Sequence, residues 1–225
     1  MKSDVKPTRA RGRFISFEGG EGAGKSTQAR LLAEHLGTLG YPTLLTREPG
    51  GSAFAEKIRR FLLEGRVKKY GPVAEALLFY TARLDHLNNL ILPNMEKGVW
   101  VISDRFLDSS RAYQGAASGV EEGIFDALDR LVVGDNQPEL TIIVDLPVEV
   151  ASARVAERQK NENGEVDRFE SEDRQFHERL RAGFLEIAAN NANRCVIVDG
   201  NQSREKVAAL IWQLVVERFG LQALT

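Results

Sequence analysis

Short, continuous apolar runs recur along the chain, and such runs are typical of strands buried on both faces of a parallel sheet. They predict strands at residues 13–17, 43–46, 99–103, 140–145 and 195–199. The intervening stretches repeat apolar residues at a spacing of three or four, which predicts helices. We expect these helices at residues 27–39, 53–63, 73–92, 121–133, 148–158, 172–190 and 203–219.

The regular alternation of strand and helix predicts an α/β fold, with a five-stranded parallel sheet and helices on both of its faces. Residues 13–225 are expected to form one domain, preceded by a flexible basic tail at residues 1–12. An organelle address or a phosphate-binding arm is the alternative interpretation of that tail. The polar run at residues 159–166 separates two predicted helices and is interpreted as a mobile flap within a lid at about residues 154–170.

Composition narrows the functional classes. With 225 residues, of which 43% are hydrophobic and 28% charged, the chain has the profile of a soluble globular protein. A net charge of −2 provides no global field that would attract nucleic acid. The single cysteine, Cys195, excludes an internal disulfide framework and suits a reducing cytoplasm. No apolar run approaches the ~20 residues of a membrane span.

The most informative stretch lies between the first predicted strand and the first predicted helix. There Gly19, Gly24, Lys25 and Ser26 follow the spacing G-x-x-x-x-G-K-[ST] of a P-loop. Its glycines let backbone N–H groups converge on a phosphate, Lys25 can reach phosphate oxygens, and the Ser26 hydroxyl can ligate Mg²⁺. A Gly-rich turn that matches by chance is the alternative, but the strand–loop–helix context favours phosphate binding.

Ligands of open parallel sheets bind at the carboxyl ends of the strands, so residues that follow strands are the next candidates. Asp104 and Arg105 follow the third strand. A carboxylate there resembles the one that holds Mg²⁺, usually through water, in P-loop enzymes, which makes Ser26 and Asp104 the predicted metal site. Arg105 can clamp a phosphate. A salt-bridged strand end is the alternative interpretation.

Two further groups suit a nucleotide base. Phe79 and Arg83 lie four residues apart on one helix face, where the ring can stack on a base and the guanidinium can donate to it. Spacing alone favours the alternative, a core phenylalanine and a solvated arginine. Tyr113 combines an apolar body with a polar tip, and Gln114 offers both a donor and an acceptor. Alone, that stretch is an unremarkable helix end.

Glu21 is unusual because a carboxylate inside a phosphate-binding loop repels the anion. We expect it to point away, toward a sugar hydroxyl; a solvent-exposed glutamate of no consequence is the alternative. Arg154, Arg158 and Arg168 flank the polar flap. A mobile arginine can stabilise the charge of a transferring phosphoryl group. The alternative, a solvated basic helix end, applies to at least one of the three.

Several motifs occur together and in order between residues 13 and 219. They are E-G-G-E-G-A-G-K-S-T at 18–27, T-R-E-P-G-G at 46–51, L-F-Y-T-A-R at 78–83, S-D-R at 103–105 with A-Y-Q-G at 112–115, and D-R-F-E at 167–170. Many enzymes share the P-loop, but its combination with R-E-P-G-G and D-R…A-Y-Q-G is highly specific. In these motifs the chain resembles the bacterial form of the thymidylate kinase family.

The resemblance implies a P-loop kinase fold with a short lid, and phosphoryl transfer from ATP to dTMP with Mg²⁺, giving ADP and dTDP. The residues implied to bind ATP are Gly19, Gly20, Glu21, Gly22, Ala23, Gly24, Lys25, Ser26, Thr27 and Arg154. Those implied to bind dTMP are Glu21, Arg47, Phe79, Arg83, Arg105, Ser110, Tyr113 and Gln114. Lys25, Arg105, Arg158 and Glu21 are the implied catalytic residues.

Individual roles are also implied. Glu21 matches the loop carboxylate beside the deoxyribose 3′-hydroxyl, while Arg47 and Arg105 match phosphate- and substrate-side contacts. Phe79 would stack on thymine and Arg83 would bond its carbonyl. Ser110 and Gln114 would contact the edge of the base, and Tyr113 would occupy the space that a ribose 2′-hydroxyl needs. Family members are usually homodimers, which the resemblance implies here as well.

The lid is the least determined region. In the bacterial form the P-loop lacks the arginine of the eukaryotic form and a lid arginine substitutes; positions 21–23 here contain none. The lid is several residues longer than in compact members, which leaves open which arginine contacts the transferring phosphate. We favour Arg158, which ends a predicted helix before the flap. Arg154 suits the adenine side, and Arg168 beside Asp167 and Glu170 suits a structural ion pair.

The motifs argue against three rival functions. Another deoxynucleoside monophosphate kinase would need a different base pocket. A P-loop NTPase switch would carry D-x-x-G and N-K-x-D after later strands, and we find neither. In a catalytically inactive binding module Lys25, Ser26 and Asp104 would not need to be intact.

Overall fold

A computed structural model of the chain describes residues 10–161 and 168–221. Its strands are β1 Phe14–Glu18, β2 Thr43–Arg47, β3 Trp100–Asp104, β4 Leu140–Asp145 and β5 Cys195–Asp199. They form one parallel sheet in the order β2-β3-β1-β4-β5. Every residue of β1 is buried, as the continuous apolar pattern predicts. The predicted five-stranded parallel sheet is therefore confirmed, with strand bounds correct to within one residue.

Helices connect the strands. They are α1 Lys25–Thr38, α2 Ala53–Leu63, α3 Gly71–His86, α4 Leu92–Glu96, α5 Leu107–Ser110, α6 Glu122–Val132, α7 Val148–Asn161, α8 Arg174–Asn190 and α9 Arg204–Phe219. The predicted helix at 73–92 is interrupted, because a π-helical turn, Leu87–Ile91, separates α3 from α4. Pro93 lacks an N–H and cannot continue an α-helical ladder across this point.

A second difference follows β3. There α5 continues into a π-helical segment, Arg111–Ala116, which carries the A-Y-Q-G motif. This stretch was not among the predicted helices. Its polar residues break the apolar spacing, but Ser110, Tyr113 and Gln114 are all buried. Polar side chains are thus held inside the fold at this position, beside the carboxyl ends of the strands.

The sheet has a hydrophobic core on each face. On one face, Ile15 and Phe17 of β1 pack with residues of α1 and α9. On the other, Phe14 packs with residues of the π-helical turn, α4 and α5, and Ile143 packs against α8. Because successive strand residues point to opposite faces, one short apolar run supplies both cores. The predicted helices on both faces are confirmed.

Part of the predicted lid and tail lies outside the described residues, namely residues 162–166 of the flap, Asp167 of the lid and residues 1–9 of the tail. The division into a tail and a single domain stays a prediction. Among the described residues, α7 extends three residues beyond its predicted end, to Asn161. No helix in the described part of the chain is long and apolar enough to cross a membrane.

Strand register brings the candidate loops together. Phe17 of β1 and Arg47 of β2 both lie opposite Asp104 of β3. The Glu48 N–H donates to the Asp104 carbonyl oxygen at 2.9 Å, and the Arg105 N–H donates to the Phe17 carbonyl oxygen at 2.9 Å. The loops after β1, β2 and β3 therefore meet at one edge of the sheet.

Candidate active site

The P-loop is shaped by its glycines. Gly19, Gly22 and Gly24 have φ values of 131°, 70° and 96°, a region that favours glycine. A Cβ on Gly19 would come within 2.4 Å of the Val144 carbonyl oxygen, and one on Gly22 within 2.6 Å of the Ala151 carbonyl oxygen. The loop therefore packs its backbone directly onto the neighbouring elements.

The first turn of α1 faces the same loop. Its N-cap is Gly24, and no described side chain caps this helix end. The unsatisfied N–H groups and the positive end of the helix dipole can therefore serve an anion. This is the structural counterpart of the predicted phosphate-binding loop.

Lys25 lies inside the loop. Its Nζ donates to the Gly20 carbonyl oxygen at 2.6 Å, and the side chain is buried. Burial and the nearby Arg105 lower the pKa of Lys25, while Glu21, Asp104 and Glu18 act in the opposite direction. A buried lysine beside open N–H groups can place its charge on phosphate oxygens.

Ser26 and Asp104 form the predicted metal site. The Ser26 hydroxyl donates to Asp104 Oδ2, which shows that the two side chains meet. Asp104 Oδ1 is buried and has no hydrogen-bond partner within residues 10–161 and 168–221. An orphaned carboxylate oxygen beside a hydroxyl fits Mg²⁺, which prefers oxygen ligands and keeps several waters. No group of three or more His, Cys, Asp or Glu that could hold a metal occurs among the described residues, so substrate and water would supply the remaining ligands.

Glu21 points out of the P-loop. Its Oε1 accepts hydrogen bonds from Arg105 Nη2 and from the Tyr113 hydroxyl, both at 2.6 Å. Burial opposes ionisation, but Arg105, Lys25, the Tyr113 hydroxyl and Arg158 together lower the pKa of Glu21 to about 2. The alternative of a solvent-exposed glutamate is wrong, because only 12% of this side chain is exposed. Glu21 is thus a fixed anion between two candidate substrate contacts.

A residue that the sequence did not single out, Glu18, holds the turn after β3. Its Oε1 accepts from the Phe106 N–H at 2.8 Å and its Oε2 from the Ser109 hydroxyl at 2.6 Å. Burial and the neighbouring Asp108 raise the pKa of Glu18. Within the same turn Arg105 adopts a φ of 74°, an uncommon conformation for a residue with a side chain. Glu18 thereby stabilises the conformation that directs Arg105 toward Glu21.

The base end of the site contains Arg83 and Phe79. Arg83 is fully buried, so the interpretation as a solvated charge is wrong. Its guanidinium is bonded to Glu48, to the Phe106 carbonyl oxygen and to Ser110. Phe79 is half-buried; it packs on the cluster around α2 and also faces the cleft. Helix geometry brings both onto one side of α3, as their spacing predicts.

Two buried donors at this end lack a partner in the described part of the chain. They are Arg83 Nη1 and Gln114 Nε2. Both residues line the same cleft, and a buried unsatisfied donor is costly unless something accepts from it. A ligand with carbonyl oxygens would satisfy them.

The three lid arginines differ in their partners. Arg154 Nη2 donates to the Gly200 carbonyl oxygen at 3.1 Å, on the side of the loop after β5. Arg158 Nη2 pairs with Glu170, whose other oxygen accepts from Gln159 Nε2 at 2.9 Å. Arg168 pairs with Glu75 of α3 at 2.6 Å. Arg168 is in an ion pair, as expected, but its partner is Glu75 and not Glu170, which pairs with Arg158 of α7 instead. Asp167, the other expected partner, lies outside the described residues.

A cleft of about 600 Å³ collects most of the predicted site residues. The predicted residues that line it are Glu21, Gly22, Gly24, Lys25, Ser26, Thr27, Arg47, Phe79, Arg83, Asp104, Arg105, Ser110, Tyr113, Gln114, Arg154 and Arg158. Gly19, Gly20 and Ala23 line a neighbouring cavity of about 210 Å³ beside α7 and α8 instead. Arg47 lies at the rim, 56% exposed and paired with Glu56 at 3.3 Å.

Sequence reasoning missed other residues of this cleft. Arg59 of α2 lines it and donates from Nη1 to the Pro49 carbonyl oxygen at 2.9 Å. Glu48 lines it as well, buried against Arg83. Arg59 lies in an ordinary amphipathic helix, and nothing in its sequence context indicates a binding site. Glu48 belongs to the T-R-E-P-G-G motif, but the sequence assigned it no role of its own. The R-E-P-G-G stretch directly after a strand could have drawn attention to Glu48.

Comparisons with known proteins agree with this geometry. The family model for thymidylate kinase matches residues 17–211. A thymidylate kinase of Bradyrhizobium sp. (strain ORS 278) is 50% identical over 214 residues, covering 95% of this chain and 94% of the relative. A thymidylate kinase of Rhodopseudomonas palustris is 53% identical over 206 residues, covering 91% and 89%.

A solved structure agrees as well. The crystal structure of thymidylate kinase from Ehrlichia chaffeensis superposes with a TM-score of 0.73 at 32% identity, covering 91% of this chain and 98% of that one. The fold, the P-loop and the cleft are therefore found in a chain whose sequence matches this family over most of its length. On these grounds the chain belongs to the thymidylate kinase family.

Proposed function

We propose that the chain transfers the γ-phosphoryl group of ATP to the 5′-phosphate of dTMP, giving dTDP and ADP. Family membership makes it a nucleoside monophosphate kinase acting on thymidylate. The cleft is the main support for assigning the ATP and dTMP sites. It joins an uncapped P-loop helix at one end to two buried, unpartnered donors at the other.

At the donor end, the P-loop N–H groups and Lys25 bind the β- and γ-phosphates of ATP. Ser26 and Asp104 would hold Mg²⁺, which would neutralise negative charge that develops on the phosphates during transfer. Arg154 covers the adenine side, which agrees with its bond to the Gly200 carbonyl oxygen after β5. The ATP-binding assignment extends along the backbone of Gly19, Gly20 and Ala23.

At the acceptor end, the base of dTMP lies against Phe79. Arg83 Nη1 donates to a carbonyl oxygen of thymine, and Gln114 and Ser110 contact the edge of the ring. Thymine suits this end because it presents a carbonyl oxygen at the position where cytosine presents an amino group. Since arginine has no acceptor, Arg83 disfavours cytosine.

The sugar and phosphate of dTMP lie between these two ends. Glu21 accepts from the 3′-hydroxyl, and the buried Tyr113 ring leaves no room for a 2′-hydroxyl. Arg105 and Arg47 bind the 5′-phosphate. Arg105 already contacts Glu21 at 2.6 Å, so sugar and phosphate recognition share one hydrogen-bonded pair.

The transfer needs no general base. A 5′-phosphate oxygen of dTMP, already anionic, attacks the γ-phosphorus, and the bond between that phosphorus and the β,γ-bridging oxygen breaks to release ADP. The chain positions the two phosphates and supplies positive charge beside them. Catalysis of phosphoryl transfer arises mostly from these two contributions. Lys25, Arg105 and Arg158 supply that charge, and the lid excludes water.

We expect the purified chain to release ADP rapidly with dTMP and slowly with dCMP, AMP or GMP, in the presence of Mg²⁺. The reason is that Arg83, which can only donate, meets a carbonyl oxygen of thymine where cytosine and adenine present an amino group. A coupled ADP assay with each monophosphate at equal concentration measures this. Faster turnover of any of the other three would contradict the assignment to thymidylate.

The chain also forms a homodimer in this proposal. Apolar side chains stay exposed along one face of the packed helices α2 and α3: Phe54, Phe61, Val73, Leu77 and Leu84. Within each helix they recur at a spacing of four or seven residues, so each of the two helices presents an apolar stripe. Such a stripe is typical of a surface that a second copy covers.

We expect Leu77→Glu to weaken dimerisation by about thirtyfold or more, the size of one hot-spot residue. Leu77 is half exposed at the middle of the stripe, and a buried glutamate there would lack a partner. Leu210→Glu on α9, outside the stripe, is the matched control. Sedimentation velocity across a concentration series measures both; a wild-type monomer, or an unchanged Leu77→Glu dimer, would contradict the interface.

A cytoplasmic location remains part of the proposal. It rests on the single cysteine, Cys195, which is buried and unpaired among the described residues. That the chain has neither nucleic-acid nor membrane partners is likewise a prediction from its charge and hydropathy.

A further inference from the structure

The orientation of Arg83 is fixed on one edge of its guanidinium. Nε donates to Glu48 Oε2 at 2.8 Å, and Nη2 donates to the Phe106 carbonyl oxygen at 3.0 Å and to Ser110 Oγ at 3.1 Å. The Tyr80 ring lies 4.5 Å from the guanidinium carbon. Because the fork is planar, bonds to Nε and Nη2 also determine where the unpartnered Nη1 points.

Glu48 is itself held from behind. Its second oxygen, Oε1, accepts from His86 Nδ1 at 3.0 Å, and His86 Nε2 lies 2.8 Å from Thr46 Oγ1. Because a carboxylate only accepts, Nδ1 carries the hydrogen on the Glu48 side, and Nε2 shares the second hydrogen bond with the threonine hydroxyl. Arg83 and His86 are three residues apart on α3, so one carboxylate bridges both side chains.

Thr46, His86 and Glu48 thus form a hydrogen-bonded relay that ends at Arg83. A glycine closes this relay to solvent. A Cβ on Gly51, whose φ is 84°, would come within 2.4 Å of both His86 Nε2 and Thr46 Oγ1. The backbone after β2 therefore packs directly over the Thr46–His86 bond. His86 is fully buried and Thr46 is 9% exposed. Neither lines the substrate cleft, so any effect on substrate passes through Glu48 and Arg83.

We propose that Thr46 and His86 are positioning residues for base selectivity. Through Glu48 they fix Arg83 so that Nη1 meets the carbonyl oxygen that distinguishes thymine from cytosine. This inference rests on the proposed function. A relay anchored in strand β2 gives the arginine one orientation, and selectivity between a carbonyl and an amino group requires that single orientation.

The first test is Thr46→Val, which keeps the shape of the side chain and removes the hydroxyl. We expect the preference for dTMP over dCMP, measured as the ratio of kcat/KM values, to fall by about tenfold. This is the lower range for a hydrogen bond to a charged group, here the bond between the Arg83 guanidinium and the base. The KM for dTMP should carry most of the change, with kcat at saturation staying within about twofold. The KM for ATP should stay the same.

The matched control is Thr141→Val. Thr141 is also a buried strand threonine; its hydroxyl pairs with Ser16 at 2.9 Å and accepts from Arg194 Nη1 at 3.0 Å, and neither partner contacts Arg83 in the described structure. We expect it to lower the melting temperature much as Thr46→Val does, without changing the base preference. An equal loss of preference in both variants would mean that general destabilisation is responsible, and the proposal would fall.

His86 provides a graded series. His86→Asn keeps a donor near the position of Nδ1 and should retain most of the preference, whereas His86→Leu removes the donor and should lose about tenfold or more. If His86→Leu does not fold, Thr46→Val decides alone. If both Thr46→Val and His86→Leu keep the wild-type ratio, the two residues are only structural. A wild-type enzyme without preference for dTMP would instead contradict the proposed function.

Discussion

Lys25→Ala should lower kcat for dTMP phosphorylation by on the order of 10²–10³, the cost of removing one preorganised charge donor from a transition state. Lys25 is buried within the P-loop, and its Nζ rests on the Gly20 carbonyl oxygen at 2.6 Å. Its pKa is lowered by burial and by Arg105, but anionic phosphates in the cleft would favour the charged form. The lysine therefore lies where it can stabilise the negative charge that develops on the β- and γ-phosphates.

A second variant separates charge from packing. Lys25→Met keeps most of the apolar stem that fills the loop, so it should fold with a melting temperature near that of the wild type. We expect it to lose kcat as severely as Lys25→Ala, while calorimetry shows nearly unchanged affinity for dTMP. A kcat within about threefold of wild type in either variant, outside the usual range for such a donor, would show that the lysine does not act on the transferring group.

The strands and the P-loop could be predicted because their signals are local. A strand buried on both faces reads as one apolar run, and all five residues of β1 are buried. The loop motif has a fixed spacing, and strand order then brings Asp104 beside Ser26. Local pattern and global topology agree at this edge of the sheet, so few assumptions were needed.

Contacts that depend on which helix packs beside a side chain could not be predicted. Arg83 looked like a solvated charge because its partner Glu48 lies 35 positions away. Arg168 looked like the partner of Glu170, its neighbour in sequence, but Glu75 of α3 pairs with it instead. In both cases the local sequence gave no information about which distant element packs against the arginine.

Two helix interruptions have the same explanation. The spacing at 73–92 indicates one helix, but the chain changes to a π-helical turn at Leu87–Ile91. The π-helical segment Arg111–Ala116 buries Tyr113 and Gln114 against the cleft. π-helical turns are rare and frequent at functional sites, where packing and polar contacts outweigh helical regularity. Propensity alone could not locate them.

The lid prediction rests on charge that the P-loop lacks. Glu21, Gly22 and Ala23 provide no arginine, so positive charge for the transferring phosphoryl group must come from elsewhere. Arg158 lines the cleft from the last turn of α7. Its partner Glu170 is 5% exposed and also accepts from Gln159. Glu170 thus holds the guanidinium at the rim, from which lid closure can bring it over the phosphates.

Arg158→Ala should lower kcat and kcat/KM together, by on the order of 10³–10⁵, as for arginines that stabilise the transition state in related phosphoryl transfer. Affinity for dTMP should stay nearly unchanged. Arg154→Ala should mainly raise the KM for ATP, because its guanidinium lies beside Gly200 after β5. Arg168→Ala breaks the partly buried pair with Glu75 and should lower the melting temperature more than kcat.

Measuring kcat for the three alanine variants side by side, with dTMP affinity by calorimetry, separates these roles. Glu170→Gln is a fourth variant to measure, because it weakens the ion pair with Arg158 without removing the guanidinium. If Arg158 acts from this position, Glu170→Gln should lose far less kcat than Arg158→Ala, because the arginine can still reach the phosphates. If Arg158→Ala keeps its kcat while Arg154→Ala or Arg168→Ala collapses, the role belongs to that arginine, and the charge reaches the phosphates from another part of the lid.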